Sequence, residues 1–343
     1  MINRAFLACF ALVSVVVLGC AEGNEPGRTS STGSGTSSSS SGGGGAGGDG
    51  MEENIPEPDG PSKLTIVNGV NDYDAIRLCF VPYPDFGESP AFPADAKGLA
   101  FAAPAVIDLA SGFVPAGTDI WLWVIAGNLA ATEGKGCAQI ITGELGVDVL
   151  ITPLAVIPRS AFEAPRSLLL VPHGCLGGPG HEHDLETTVC GKDYSISTPT
   201  PGLLASGMSR IVESDVLSLQ AAHASMAMPE IDIRLLPGAQ GGTAGNVAPG
   251  LTVGAIGKIP PFREFSKMAL GSIGATNILT VPPGYAQPNS TSPLQAALVR
   301  GGISEADFKD GSAFTFVAVG SPPSIPKGPF WHELTWTVVR SDP

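Results

Sequence analysis

The chain has 343 residues, a formal net charge of −14 and only 15% charged residues. Nucleic acids and anionic lipid surfaces bind basic patches, so the acidic balance argues against both as partners of the folded part. The 45 glycines and 31 prolines, together with the few charges, favour short strands joined by turns over long helices.

The first 20 residues have the three parts of a bacterial export signal: Arg4, an apolar run over residues 5–18, and small residues before Cys20. The run has about 14 residues, shorter than the ~20 that span a bilayer as a helix, and no stop-transfer pattern follows. Leu18-Gly19-Cys20 resembles the lipobox of bacterial lipoproteins. The alternative is an ordinary secretory signal with a chance cysteine.

The lipobox resemblance implies that Cys20 becomes the lipidated N-terminus, with two acyl chains on its thiol and a third on its amine. Three chains hold a protein firmly to a membrane. Ala21 follows the cysteine in place of an inner-membrane retention aspartate. We therefore expect a lipid-anchored protein of the bacterial cell envelope, at the outer membrane, on either its surface or its periplasmic face.

Residues 21–61 form a tether without apolar periodicity, predicted to be disordered. Residues 29–50 are nearly all Ser, Thr and Gly, and such a segment buries too little surface to offset its ordering entropy. A Gly/Ser coil of about 40 residues has a root-mean-square span of roughly 35 Å. An acidic, proline-rich neck over residues 52–61 leads into the body.

About 280 residues follow the neck, enough for one large or two ordinary domains. They contain Cys79, Cys137, Cys175 and Cys190, and an even number of cysteines in an exported protein indicates two disulfides. Order along the chain suggests the pairs Cys79–Cys137 and Cys175–Cys190, one of three possible connectivities. Zinc binding by these cysteines is the alternative, although no C-x-x-C pair is present.

Strands dominate the prediction for the body. The run after the turn at residues 115–118 has Ile120, Leu122 and Val124 on one face and Trp121 and Trp123 on the other. Both faces are apolar, which is typical of a central strand. Further strands are predicted at residues 63–68, 75–81, 147–151, 167–171, 217–222, 231–236, 276–281, 313–319 and 334–339, and a short helix at 294–298 after Ser292-Pro293.

A partial internal repeat supports two domains of one type. A short strand and a turn lead to Ile76-Arg77-Leu78, and about 155 residues later a similar strand and turn lead to Ile233-Arg234-Leu235. We therefore predict two tandem β-sandwich domains, at residues 62–213 and 214–343.

The second half also resembles a known family. Residues 222–233, Ala-His-Ala-Ser-Met-Ala-Met-Pro-Glu-Ile-Asp-Ile, are similar to the opening of the family called domain of unknown function 4397, a strand followed by His-Ala-Ser-Pro-x-Ala-Pro-x-Val-Asp-Val. Residues 314–320 resemble that family's closing strand. The resemblance covers about 130 residues and implies an immunoglobulin-like β-sandwich of exported or surface proteins, without an established activity.

The densest polar cluster is a possible metal site. His173 precedes Cys175, and the loop between Cys175 and Cys190 contains His181, His183 and Asp184. His-x-His spacing places two imidazoles on one zinc or copper ion, with His173 or Asp184 as a third ligand. The alternative is a disulfide-closed surface loop whose polar residues face water, in which case no cofactor is expected.

No catalytic constellation is recognised. Residues 167–174 resemble the strand before the oxyanion loop of α/β-hydrolases, but the Gly-x-Ser-x-Gly elbow is missing around Ser225. His223 is predicted to be a strand-end histidine that is hydrogen-bonded to Ser225 or Asp232. Carboxylates are scattered without a pair placed for glycosidase chemistry. We therefore predict no enzymatic activity.

The four tryptophans have two possible uses. Trp121, Trp123, Trp331 and Trp336 either pack the sandwiches or, if one pair is exposed, form a platform on which a carbohydrate stacks. The predicted function is a surface-displayed binding or adhesion module whose extracellular or periplasmic ligand is a glycan or a protein. The alternative is an exported zinc or copper protein centred on the histidine loop.

Overall fold

The computed structural model describes residues 57–143, 145–163, 167–179, 189–191, 193–195, 197–238, 241–257, 261–322 and 331–343. The signal segment, Cys20 and residues 21–56 of the tether lie outside the described residues, as do His181, His183 and Asp184. The described part of the chain is mainly β, with 17 strands and a few short helices. This confirms the predicted fold class at that level.

Nine strands of the first half form two sheets: β1 (Lys63–Val67), β2 (Gly69–Val70), β3 (Ala75–Tyr83), β4 (Leu99–Ala100), β5 (Pro104–Asp108), β6 (Asp119–Gly127), β7 (Val149–Ile157), β8 (Ser167–Gly174) and β9 (Gly202–Met208). The first outer sheet has the order β4-β3-β6-β7. The first inner sheet has the order β5-β1-β8-β9, with β2 beside β8 beyond the end of β1. β1 runs parallel to β8 and antiparallel to β5.

Eight strands of the second half form two more sheets: β10 (Leu217–His223), β11 (Glu230–Leu236), β12 (Gly245–Thr252), β13 (Ala255–Ile256), β14 (Asn277–Val281), β15 (Ser290–Pro293), β16 (Ser312–Val319) and β17 (Thr335–Arg340). The second outer sheet has the order β12-β11-β14-β15, and the second inner sheet has the order β13-β10-β16-β17. β10 runs parallel to β16 and antiparallel to β13.

The two halves follow one strand plan. The inner sheets correspond strand by strand, β5-β1-β8-β9 to β13-β10-β16-β17, and the outer sheets correspond as β4-β3-β6-β7 to β12-β11-β14-β15. Apart from β2, equivalent strands follow in the same chain order and have equivalent neighbours. Each inner sheet has one parallel pairing, β1 with β8 and β10 with β16. Ile76-Arg77-Leu78 lies on β3 and Ile233-Arg234-Leu235 on the equivalent β11. The internal repeat in the sequence thus coincides with a repeat of topology. The predicted domain boundaries and the immunoglobulin-like class stay predictions.

The four sheets pack against one another because the inner strands have apolar side chains on both faces. Leu64 and Ile66 of β1 pack in one core with Leu78 and other residues of the first outer sheet. Val67 of the same strand packs in a different core with Val317 of the second inner sheet. Successive side chains of a strand point to opposite faces, so an inner strand has to be apolar on both. Both halves therefore belong to one compact unit, Glu53–Pro343.

Short helices and two disulfides complete the fold. The helices are α1 (Cys137–Thr142), α2 (Ser160–Glu163), α3 (Lys267–Leu270) and α4 (Leu294–Arg300). The last of these confirms the helix predicted after Ser292-Pro293. The disulfide Cys79–Cys137 joins β3 to α1, and Cys175–Cys190 closes the loop after β8. Both predicted cysteine pairs are thus present. In the part of the chain that is described, no helix is long and apolar enough to cross a bilayer.

Candidate functional site

The outer face of β6 presents two tryptophans. Ile120, Leu122 and Val124 point into the core of the first half and are fully buried. Trp121 and Trp123 alternate with them, point the other way and stay partly exposed. Their ring centroids are 4.6 Å apart with an angle of 54° between the ring planes. One face of β6 therefore packs in the core, and the other face carries two partly exposed indole rings.

Two further aromatic rings extend this pair. Tyr83, at the end of β3, packs edge-on against Trp121 with 6.1 Å between ring centroids. Phe86, in the following turn, packs edge-on against both Trp121 and Trp123, at 6.2 and 6.1 Å. Edge-to-face contacts of this kind add to the stability that area burial supplies. Tyr83, Phe86, Trp121 and Trp123 are called the aromatic cluster below.

The aromatic cluster is held in place by the backbone. Tyr83 pairs with Asp119 across β3 and β6, and Thr118 Oγ1 donates to the carbonyl of Tyr83 at 3.1 Å. On the other side of β6, the pairing to β7 slips by one residue between Trp121 and Trp123. Bulges of this kind re-aim side chains and are common beside binding sites.

Two members of the aromatic cluster are exposed although their rings are large and apolar. Tyr83 is 43% and Phe86 45% exposed, and exposed apolar surface that is contiguous, not scattered, marks interaction sites. The acidic residues Asp85 and Glu88 lie in the same turn as Phe86 and are exposed. The site therefore combines π-faces with carboxylate acceptors.

The two tryptophans of the second half have a different role. Trp336 is 1% and Trp331 is 7% exposed, and Trp336 is part of the core of the second half. Packing is thus the use found for Trp331 and Trp336, whereas Trp121 and Trp123 stay partly exposed. A carbohydrate platform on that pair stays a prediction. Tyr83 and Phe86 were not predicted as site residues from the sequence. The signal for them is two aromatic residues inside the turn sequence Tyr-Pro-Asp-Phe-Gly.

His173 is the described residue of the predicted metal site. It lies at the end of β8 and is 5% exposed, with its ring against the backbone of Gly202. Burial, and then the nearby His223, lower the pKa of His173 to about 4. Its Nδ1 has no hydrogen-bond partner among the described residues. Within the described residues, no group of three or more His, Cys, Asp or Glu side chains is placed to hold a metal ion.

His223 is a buried histidine with both ring nitrogens in contact with backbone. Its Nε2 lies 2.6 Å from the carbonyl oxygen of Met228, and the backbone N–H of Ser225 donates to Nδ1 at 3.4 Å. Burial lowers the pKa of His223 to about 4, although the Met228 carbonyl opposes that shift. The prediction of a satisfied strand-end histidine agrees with these contacts. The partner is backbone at Ser225 and Met228, whereas Asp232 pairs with Arg234.

Comparisons with known proteins give little information about the family or function of the chain. No family model matches it, and no curated protein matches it. A crystal structure of a candidate cell adhesion protein from Bacteroides eggerthii aligns over 84% of this chain and 98% of its own, at 10% identity and a TM-score of 0.20. A TM-score this low transfers neither fold nor function to this chain, whose own residues have to carry any functional proposal.

Proposed function

We propose that the protein is an exported, membrane-anchored binding module that captures a neutral glycan on the aromatic cluster. The observation that supports this most directly is that Tyr83 and Phe86 are exposed beside two partly exposed tryptophans on the outer face of the first outer sheet. Each aromatic ring has a negative π-face, on which the C–H groups of a sugar ring pack. The sheet fixes the rings before the ligand arrives, and such pre-organisation lowers the entropy cost of binding.

The charges around the aromatic cluster favour a neutral ligand. Asp85 and Glu88 accept hydrogen bonds from sugar hydroxyls but repel sulfated or uronic polysaccharides. The chain as a whole has a formal net charge of −14, which lowers the local concentration of polyanions further. A neutral polysaccharide satisfies both the apolar and the acidic part of the site.

The N-terminal segment supports a role at a surface. Leu18-Gly19-Cys20 and the Gly/Ser tether would hold the body away from a lipid surface, by the roughly 35 Å expected of such a coil. The two disulfides suit an oxidising compartment outside the cytoplasm. Cys20→Ala should abolish incorporation of a radiolabelled fatty acid in the producing cell, and unchanged labelling would contradict lipidation at Cys20.

A glycan array probed with the full chain, disulfides intact, tests the proposed ligand. We expect binding to neutral polysaccharides and a loss of about tenfold or more in affinity for Trp121→Ala, the scale of a hot-spot residue. Phe86→Ala should weaken the same glycans, and its exposed ring makes unfolding a minor concern.

Tyr285→Ala is the matched control, because Tyr285 is a 67% exposed aromatic of the second half. It should leave glycan binding unchanged. Binding that survives both Trp121→Ala and Phe86→Ala, or an array on which only anionic glycans bind, would refute the proposal.

A further inference from the structure

A cleft lies between the two halves, and its lining contains no residue of the aromatic cluster. The cleft has a volume of about 350 Å³ and is lined by β1, β5, the turn after α4, and β17. Small-molecule sites have volumes of ~300–1,000 Å³ and occur preferentially where two domains meet. The cleft is therefore large enough for a small organic ligand.

One wall of the cleft contains an ammonium group without a carboxylate partner. Lys63 Nζ donates to the backbone carbonyl of Asp342 at 2.9 Å. Throughout the described residues, no carboxylate lies within 4.0 Å of Nζ. Burial lowers the pKa of Lys63, the nearby Asp342 raises it, and the nearby Arg340 and Arg210 lower it again.

The carboxylate of Asp342 is already occupied by other donors. It accepts from Arg340 Nε at 2.9 Å, from Arg340 Nη2 at 2.6 Å and from the backbone N–H of Ala313 at 3.1 Å. Among the described residues, Lys63 Nζ donates to the Asp342 carbonyl, which leaves two N–H donors of this partly buried cation for a ligand. Partial burial disfavours the charged form of Lys63, and an anionic ligand would offset part of that cost.

Apolar side chains lie beside Lys63 in the cleft. Pro104 and Val106 belong to β5, the strand that pairs with β1, and Ile303 follows α4. Val106 is 65% exposed although it belongs to a strand. Asp307 lies at the rim of the same cleft. Its negative charge disfavours dianions such as phosphate more strongly than a monoanion.

We propose that this cleft binds a small monocarboxylate with an apolar body, whose carboxylate accepts hydrogen bonds from Lys63 Nζ and whose hydrocarbon part lies against Val106 and Ile303. The ammonium of Lys63 matches a carboxylate, and the guanidinium of Arg340 in the same lining is already paired with Asp342. The apolar residues provide the surface that the hydrocarbon part needs. This site is independent of glycan binding by the aromatic cluster.

Calorimetric titration of the full chain with hexanoate, and separately with the neutral hexanamide, tests the site. We expect hexanoate to bind in the millimolar range or tighter, and hexanamide to bind about tenfold or more weakly, because it lacks the charge-assisted hydrogen bond. Lys63→Met retains most of the side-chain stem and should remove most of that difference.

Val106→Asp places a negative charge among the apolar residues of the cleft at an exposed position and should abolish hexanoate binding without unfolding the chain. Val147→Asp is the matched control, since Val147 is 82% exposed and does not line the cleft; it should bind hexanoate as the unaltered chain does. Equal binding of hexanoate and hexanamide, no binding of either, or hexanoate binding unaffected by both Lys63→Met and Val106→Asp would overturn the proposal.

Discussion

Arg77 on β3 and Arg234 on β11 occupy equivalent positions in the two halves, since each pairs with the equivalent apolar residue of the next strand, Ile125 and Leu279. Their surroundings differ. Arg77 is 2% exposed and donates to the carbonyl and hydroxyl of Thr132 at 2.8 and 2.7 Å. Arg234 forms a partly exposed ion pair with Asp232 at 3.0 Å.

The next outward-facing positions continue the contrast. Cys79 faces Trp123 in the first half, where Leu236 faces Asn277 in the second. The first outer sheet has thus gained a covering segment, residues 128–143, that Arg77 and the disulfide hold against it, with the aromatic cluster beside it. One strand plan serves both halves, and among the described residues the aromatic cluster lies in the first half. Function belongs to sites on a fold, not to the fold itself.

The disulfide of the first half should have the largest effect. Removing Cys79–Cys137 with Cys79→Ala and Cys137→Ala opens a loop with a sequence separation of 58. The chain-entropy model gives a loss of about 4 kcal/mol in the free energy of unfolding for a loop of that length. Guanidinium unfolding followed by tryptophan fluorescence measures it. Removing Cys175–Cys190, with a separation of 15, should cost about 3 kcal/mol; a larger loss there would contradict the ranking.

Arg77→Met should cost about 3 kcal/mol, because several buried carbonyls lose their donor. Arg234→Met, at the equivalent position, should cost at most about 1 kcal/mol, as partly exposed ion pairs do. Urea unfolding of the two variants side by side measures the difference. Similar losses for both would show that the covering segment does not depend on Arg77.

Acid should weaken the junction between the halves through His173 and His223. Both have folded-state pKa values of about 4, below the ~6.5 of an unfolded histidine. The unfolded chain therefore binds more protons between these pH values, so stability is full above about pH 6.5 and falls towards pH 4.

The loss should reach about 2 kcal/mol for each histidine by pH 5. Unfolding midpoints measured from pH 7 to pH 5 test this. His173→Phe retains a ring against Gly202 and should flatten the profile, because phenylalanine does not titrate. An unchanged slope in that variant would exclude His173 as a source of the pH dependence.

The smallest effect should be that of Phe86→Ala on stability. Its ring is 45% exposed, so we expect a loss below about 1 kcal/mol in the free energy of unfolding, as for most surface substitutions. Thermal unfolding measures it alongside the glycan assay. A large loss of stability would assign Phe86 to packing and remove it from the proposed binding surface.

The predicted strands were found wherever a strand is buried on at least one face with a clear apolar pattern. The strands that were not predicted, β2, β4, β5, β9, β12, β13 and β15, each pair with a single neighbouring strand. β12 reads Gly-Asn-Val-Ala-Pro-Gly-Leu-Thr and β15 reads Ser-Thr-Ser-Pro. A strand that is hydrogen-bonded on one side only tolerates Pro, Gly and polar residues. Its local sequence therefore contains little strand signal, and its neighbour decides its conformation.

The sequence predicted two of the four residues of the aromatic cluster. Alternation placed Trp121 and Trp123 on one face of β6, but both faces of that strand are apolar, so the pattern does not tell which face is covered. Tyr83 and Phe86 reach the same face from another strand and its turn. Their proximity depends on the pairing of β3 with β6, a long-range contact that no local pattern encodes.

Composition and alternation were sufficient for the mainly β class, and the internal repeat was present in the sequence, because both depend on local patterns. Cysteine order suggested the two disulfides found, but the structure decided among the three connectivities. Tertiary structure alone decided which tryptophans are buried and which are exposed. Residues 128–143 cover Ile125, which is fully buried, but leave Trp121 and Trp123 partly exposed. In the second half, Trp336 enters the core instead. Exposure depends on what packs against a face, and that is a property of the assembled sheets.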